Sequence, residues 1–253
     1  MNSPLSSVEG VVRSKAFSWR YGKRPAGISL MLYISPPFGN YITLQDTTSI
    51  KGTFTYHRRR GLIYHTLRSL RPVRGGWRNQ IGFRNKGIHA VDFTELTDVY
   101  SICGLNESEW ISLLSHIPEY TRLELNLSCP NVPTISISDE TMQAYCEKFP
   151  DLIAKVRYDI PNTDIDKLMD MGVKTIHCSN TIPTSKGGIS GRQLKEVNLP
   201  NIERIAKTFT GRIIAGGGIY NKQDIIDYRN SGDTVGDRNR VVGYTSIGAF
   251  WDD

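Results

Sequence analysis

The stretch Leu123-Glu-Leu-Asn-Leu-Ser-Cys-Pro-Asn-Val-Pro133 decides how the chain is read. A strand-like run ends in two asparagines that bracket a cysteine: Asn126, Cys129 and Asn131. A proline on each side of Asn131 stiffens the turn. Amide side chains donate and accept hydrogen bonds, so a pair of them suits a planar heterocycle carrying C=O and N–H groups. A thiol held between them can exchange a proton with a bound carbon acid. The same residue types also suit a capped strand end with a buried cysteine, and by themselves they leave both readings open.

Outward from this stretch, strand-like and helix-like segments alternate. Strands are expected at 28–34, 52–55, 98–103, 122–127, 151–157, 173–178, 212–215 and 240–243. Helices are expected at 61–70, 106–116, 139–149, 163–171, 199–209 and 221–230. In the first of these helices, Leu62, Ile63, Leu67 and Leu70 form a plausible packing face. Asn106 and Glu109 have capping-box character, Thr163 is placed as an N-cap, and Asn221 to Asp224 opens the last helix. About eight strands alternating with helices in 253 residues predict an α/β fold, a (β/α)8 TIM barrel. A single domain is expected over 26–253, preceded by a poorly ordered, basic, Ser-rich arm over 1–25. The pattern is weakest at its ends: no clean helix lies between 34 and 52, and ten residues follow Gly243.

Net charge is +6, much of it in the first third, where Arg58-Arg59-Arg60, Arg68, Arg71 and Arg84 cluster. A nucleic-acid footprint is one reading. A solvated face, or local positive potential for an anionic substrate and a cofactor phosphate, accounts for it better. Cys103, Cys129, Cys146 and Cys178 form no C-x-x-C pair, and no histidine has zinc-site spacing, so no metal site is expected. Thiols without a signal peptide indicate a reducing, cytoplasmic location. No apolar run approaches transmembrane length.

In a barrel of this kind the site lies at the C-terminal ends of the strands. Asn126, Cys129 and Asn131 follow the fourth strand, and Lys155 is a lone charge in the fifth. A buried lysine needs a partner, either a carboxylate inside the barrel or an electron-rich cofactor. Asn180 and Thr181 follow the sixth strand, and then comes a glycine-rich loop containing Gly188 and Gly191. Gly216-Gly217-Gly218 before a capped helix suits phosphate, and Gly243 and Thr245 at the last strand complete that site.

Together these motifs resemble the dihydroorotate dehydrogenases, specifically the soluble class 1 enzymes, whose loop reads N-L-S-C-P-N with the cysteine as general base. The membrane-bound class 2 enzymes carry serine there, and the flavin domain of dihydropyrimidine dehydrogenase has S-C-P-H, so Asn131 favours the dihydroorotate branch. The resemblance runs from about Ser35 to about Gly248, in family order. It implies FMN as cofactor and oxidation of dihydroorotate to orotate in pyrimidine synthesis. Cys129 would remove the C5 proton while hydride passes from C6 to the flavin. An unperturbed thiol titrates near ~8.5, so activity should rise with pH. Asn79, Gly82, Asn126, Asn131, Asn180 and Thr181 would hold the substrate. The cofactor would be held by Thr53, Lys155, Gly188 and Gly191, and at its phosphate by Gly217, Gly218, Gly243 and Thr245.

The chain departs from the family at its K-T-x-T motif, where Gly52 stands at the lysine position and Lys51 precedes it. Lys51 reaches the cofactor if a bulge turns it inward; strict strand alternation turns it outward, which is the favoured outcome. The chain is also about fifty residues shorter than the family pattern. Three alternatives follow: an FMN oxidoreductase acting on another small reduced ring, a catalytically impaired relative with a binding or structural role, and an RNA-directed flavin enzyme such as a dihydrouridine synthase. No membrane partner is expected, nucleic acid is disfavoured, and a homodimer is a candidate assembly.

Overall fold

The computed structural model describes residues 31–41, 43, 47–129, 137–233 and 241–246. Asn131 and the expected arm over 1–25 lie outside them. In chain order the first elements are strands β1 (Met31–Ile34) and β2 (Thr47–Phe54), helix α1 (Leu62–Ser69), and strands β3 (Arg71–Val73) and β4 (Gly76–Asn79). Next come β5 (Val99–Ile102), α2 (Glu107–His116), β6 (Arg122–Asn126), α3 (Asp139–Lys148), β7 (Ile153–Val156) and α4 (Asn162–Asp170). The rest are β8 (Thr175–Cys178), β9 (Ile182–Thr184), β10 (Gly187–Gly191), α5 (Arg192–Thr208), β11 (Arg212–Gly216), α6 (Lys222–Asp233) and β12 (Val241–Ser246).

The fold is α/β. Its parallel sheet runs in the order β1-β12-β11-β8-β7-β6-β5-β2, and it curls until β1 pairs with both β12 and β2. Parallel strands covered on both faces are buried along their whole length, and β5 and β8 are buried at every residue. Alternation sorts the side chains. Tyr100, Ile102, Leu123, Leu125 and Ile176 join the cluster that receives helix residues such as Trp110 and Leu113. Tyr33, Ile50, Val99, Ile153 and Ile214 form a second apolar cluster, contributed by strands alone, inside the curl. That inner plug puts the polar inward residues of the same strands above an apolar floor.

Two helix starts follow the sequence reading. The Asn106 side chain accepts from Glu109 N–H at 3.0 Å, while Glu109 Oε2 accepts from Leu105 N–H at 3.0 Å. Asn221 Oδ1 accepts from Asp224 N–H at 3.0 Å, and Asp224 returns the bond to Asn221 N–H.

Other expectations are corrected. Thr163 is not an N-cap: α4 begins at Asn162 after Pro161, with no side-chain cap. Helix α5 starts at Arg192, seven residues before the expected 199, because β10 delivers the chain straight into it at Gly191 (φ 130°). The glycine-rich segment 187–191 is strand β10 rather than a loop, in a separate antiparallel sheet ordered β3-β4-β10-β9. Strand β2 starts at Thr47 rather than 52, and β12 continues to Ser246, so Gly243 and Thr245 lie within it. No residue of α1 is buried; Ile63 is 76% exposed and Leu67 75% exposed, so the expected packing face meets no core.

Candidate active site

Leu123 and Leu125 of β6 turn outward into the helix layer, so Glu124 and Asn126 turn inward. From Asn126 a hydrogen-bonded chain runs in both directions. Towards the strand ends, Asn180 Nδ2 donates to Asn126 Oδ1 at 2.9 Å, and Thr181 N–H donates to Asn180 Oδ1 at 2.9 Å. Towards the floor, Asn126 Nδ2 donates to Thr53 Oγ1 at 2.9 Å, which lies 3.1 Å from Ser101 Oγ. Ser101 Oγ donates to Glu124 Oε1 at 2.7 Å, and His177 Nδ1 lies 2.6 Å from Glu124 Oε2. Four expected site residues, Asn126, Asn180, Thr181 and Thr53, are thus brought together with three that sequence reasoning passed over: Ser101, Glu124 and His177. Charged or polar residues at inward positions of otherwise apolar strands were the available signal.

Burial works against the Glu124 carboxylate. Contact with His177, the Lys155 charge and the hydrogen bonds from His177 and Ser101 outweigh it, holding its pKa below the usual carboxylate range. Burial pushes the His177 imidazole below its ordinary pKa; the Glu124 charge opposes this and Lys155 reinforces it. The consistent state is an ionised Glu124 balanced by Lys155, with a neutral imidazole donating Nδ1–H to the carboxylate. Lys155 pairs in register with both Asn126 and His177, which puts this inward lysine between the amide cluster and the buried carboxylate. Both partners considered for it, an internal carboxylate and a cofactor at the mouth, are compatible with that position.

Lys51 does not reach this site. Its Nζ lies 2.5 Å from Asp98 Oδ2 and 5.9 Å from the centre of the Tyr100 ring, on the helix-facing side of the sheet. Burial works against its charge, but the Asp98 contact outweighs this and holds its pKa above the usual value. A bulge is present, one residue too late to turn Lys51: the register with β5 shifts between Gly52 and Phe54, and Thr53 is turned inward instead. Asn40 clamps the bulge, accepting from Gly52 N–H at 2.8 Å and donating to Gly52 O at 3.2 Å.

Cys129 ends the described part of the β6 loop and is half-buried. Cys103 lies near enough for the two thiols to influence one another, but burial pushes the Cys103 pKa far above the thiol range. Burial likewise raises Cys178 to about 12. Asn79 lies on β4, paired in register with Gly188, and its side chain accepts from Ile81 N–H at 3.3 Å. Gly82 lines a separate surface cleft with Arg59, His65, Arg68 and Arg84. A Cβ on Gly191 would lie 2.3 Å from Gly75 O, so this glycine is required by close strand approach in the antiparallel sheet. Gly217 (φ 91°) and Gly218 (φ 70°) form a left-handed turn beyond β11, tucked beneath Leu194 and Lys195 at the start of α5. Asn198 of α5 ties this turn to the site, donating to Cys178 O at 3.0 Å and Gly216 O at 2.8 Å.

The sequence profile of one family, described as dihydroorotate dehydrogenase, matches residues 47–246. A dihydroorotate dehydrogenase B (NAD(+)) catalytic subunit of Staphylococcus carnosus is 27% identical over 192 residues, covering 62% of this chain and 63% of that protein. The corresponding subunit of a Geobacillus species is 24% identical over 194 residues, with 62% of each chain covered. The chain therefore spans less than two thirds of the length of these curated relatives. The structure of a DHODH from Eimeria tenella in complex with ferulenol superposes with a TM-score of 0.58 at 16% identity, covering 80% of this chain and 70% of that one, a likeness of fold. No helix among the described residues is long and apolar enough to cross a membrane.

Proposed function

From the premise that this chain belongs to the dihydroorotate dehydrogenase family, we propose that it oxidises dihydroorotate to orotate with FMN. The observation that carries this reading is the Asn126–Asn180 amide pair, joined across β7 from the ends of β6 and β8, with Asn126 three residues before Cys129. Two oriented amides beside a thiol suit a ring with C=O and N–H groups that must lose a proton from carbon.

The residues present fit the cofactor. The left-handed Gly217–Gly218 turn, next to the end of β12, is the kind of backbone that approaches a phosphate closely, and the inward Lys155 of β7 offers a cation. In this reading Gly217, Gly218, Gly243 and Thr245 hold the phosphate, and Lys155 and Thr53 face the ring. Bound FMN would supply the two-electron acceptor. Asn126 and Asn180, with Thr181 fixing the latter, orient the substrate; Asn79, Gly82 and Asn131 complete its enclosure, and Cys129 takes the C5 proton. Gly188 and Gly191 contribute through the antiparallel sheet that borders the mouth. The same proposal includes a complete (β/α)8 barrel as one domain over 26–253, a homodimer, and a cytoplasmic location.

One observation favours a second reading. Lys51 is committed to Asp98 and does not stand in for the lysine of the family motif at the mouth, which suits a catalytically impaired relative or a different reduced ring. The visible spectrum of purified protein, followed by dihydroorotate addition under anaerobic conditions, separates the readings. A yellow protein that bleaches supports the oxidation; a yellow protein that does not bleach supports the second reading; a colourless protein unable to take up added FMN overturns the oxidation and the different-ring alternative and leaves the impaired relative with a binding or structural role.

A further inference from the structure

The hydrogen-bonded chain through the site has a direction imposed at both ends. At the outer end stands the Thr181 backbone N–H, which can only donate. At the inner end stands the Glu124 carboxylate, which when ionised can only accept. Every group between them can do either. Thr181 compels Asn180 to turn its Oδ1 towards the backbone, leaving Nδ2 to donate to Asn126 Oδ1. Asn126 must then turn Nδ2 to Thr53. From the other end, Glu124 takes the Ser101 proton, so Ser101 Oγ must receive its bond from the Thr53 hydroxyl, and Thr53 Oγ1 can then accept only from an amide N–H. The two deductions meet at Asn126 and agree. Ser101 and Glu124 are fully buried, while Asn126 and Asn180 are at most 8% exposed, so water does not compete freely for these bonds.

We propose that Glu124 is a positioning residue that acts through Ser101 and Thr53 to lock the Asn126 and Asn180 amides in one orientation, making the pocket present a single donor and acceptor pattern to its ring. Without the anchor, only the single bond from Thr181 N–H at the outer end still holds the orientation; the amides then exchange their C=O and N–H ends more readily, and the pocket separates a ring from its donor/acceptor-swapped analogue less sharply. Glu124 is therefore specificity-determining without touching the substrate. His177, donating to the second carboxylate oxygen, and Lys155 keep the anchor anionic.

The inference rests on the proposed function for its ligand but not for its geometry, and two measurements keep them apart. The first is binding of orotate against its 4-amino analogue, in which a ring carbonyl becomes an amine, to wild-type holoenzyme and Ser101→Ala. The substitution cuts the chain between Glu124 and Thr53 and leaves the Glu124–His177 contact in place. Wild type should prefer orotate by at least about tenfold, the scale of a mispaired buried hydrogen bond, and Ser101→Ala should bring the ratio towards one. A purely structural role would weaken both ligands together and leave the ratio unchanged, which overturns the proposal. The second measurement is the side-chain amide NMR signals of Asn126 and Asn180 in the same proteins without ligand. They should shift and lose exchange protection in Ser101→Ala; unmoved signals overturn the proposal even if orotate proves not to bind at all. Should Ser101→Ala fail to fold, Thr53→Val cuts the chain one link further out with little change in volume, and the same two readouts decide.

Discussion

The Nδ1 atom of His177 lies 2.6 Å from Oε2 of Glu124, and both side chains are buried inside the curled sheet. A carboxylate in such a place survives only with partners, and it has three: His177, Ser101 and the Lys155 charge. Glu124→Ala strips the acceptor from two buried donors and leaves Lys155 unbalanced. It should lower stability by about 3–5 kcal/mol, the usual cost of breaking a buried pair by removing one partner. Urea unfolding at neutral pH measures this; a loss below about 1 kcal/mol would mean that the interior admits water freely.

The same pair fixes a pH dependence. The pKa values of His177 and Glu124 are both lowered in the folded chain, so at intermediate pH the unfolded state binds more protons at each site. Stability is then complete above about pH 6.5, the ordinary histidine value, and falls as pH drops below it. The Glu124 contribution follows below about pH 4.3 and is lost as pH falls through its folded pKa. His177→Gln should flatten the upper part of this fall and leave the lower part. Thermal midpoints between pH 5 and 8 are the check, and a midpoint that rises on acidification would contradict the assignment of a neutral imidazole.

The parts of this site that were legible in sequence are those set by local rules. Asn126 was legible because the 122–127 run is short, apolar and strand-like and ends in a proline-stiffened turn, and the caps at Asn106 and Asn221 were legible because a capping box spans only four residues. Glu124 and His177 stood in the same strands, yet their pairing needs three strands laid side by side, a non-local fact. Strands β3, β4, β9 and β10 have three to five residues each, and β4 and β10 pair across about a hundred positions, so no periodicity reveals them. The outward turn of Lys51 followed from alternation beside buried Ile50. The bulge after it did not, because it depends on Asn40 holding the Gly52 backbone.

That bulge makes Gly52 irreplaceable by the lysine of the family motif. Its φ is 110°, and a Cβ there would lie 2.3 Å from Ser101 O. Gly52→Lys should therefore not restore a cofactor contact. Gly52→Ala alone should cost on the order of 1–3 kcal/mol from backbone strain before any steric cost is added. Denaturation midpoints of both variants, read beside FMN content, test this; Gly52→Lys with higher FMN affinity and unchanged stability would show that the bulge yields.

Lys51 gives the complementary expectation. Its charge is spent on Asp98 and over Tyr100, away from the amide cluster. Lys51→Met should leave FMN content and the flavin spectrum as they are but lower stability, because it takes the lysine partner from the buried Asp98 carboxylate. Loss of flavin on this substitution would place Lys51 at the mouth after all.

Cys129→Ala tests the proton transfer, with no other cysteine fit to replace it. The neighbouring thiol, Cys103, is fully buried and its pKa is driven far above the thiol range, so it cannot take over as base. Cys146, raised to about 11, and Cys178, raised to about 12, are closed to the role for the same reason. His177 is buried beneath the amide pair and committed to Glu124. Flavin reduction by dihydroorotate should therefore fall by about two or more orders of magnitude, the usual scale for removing a general base. FMN content should stay constant, because the turn proposed to hold phosphate and the proposed ring-facing Lys155 belong to other strands. Stopped-flow bleaching measures the rate and the visible spectrum measures the content. Bleaching at the wild-type rate would remove Cys129 from the chemistry and leave it a structural residue of the loop.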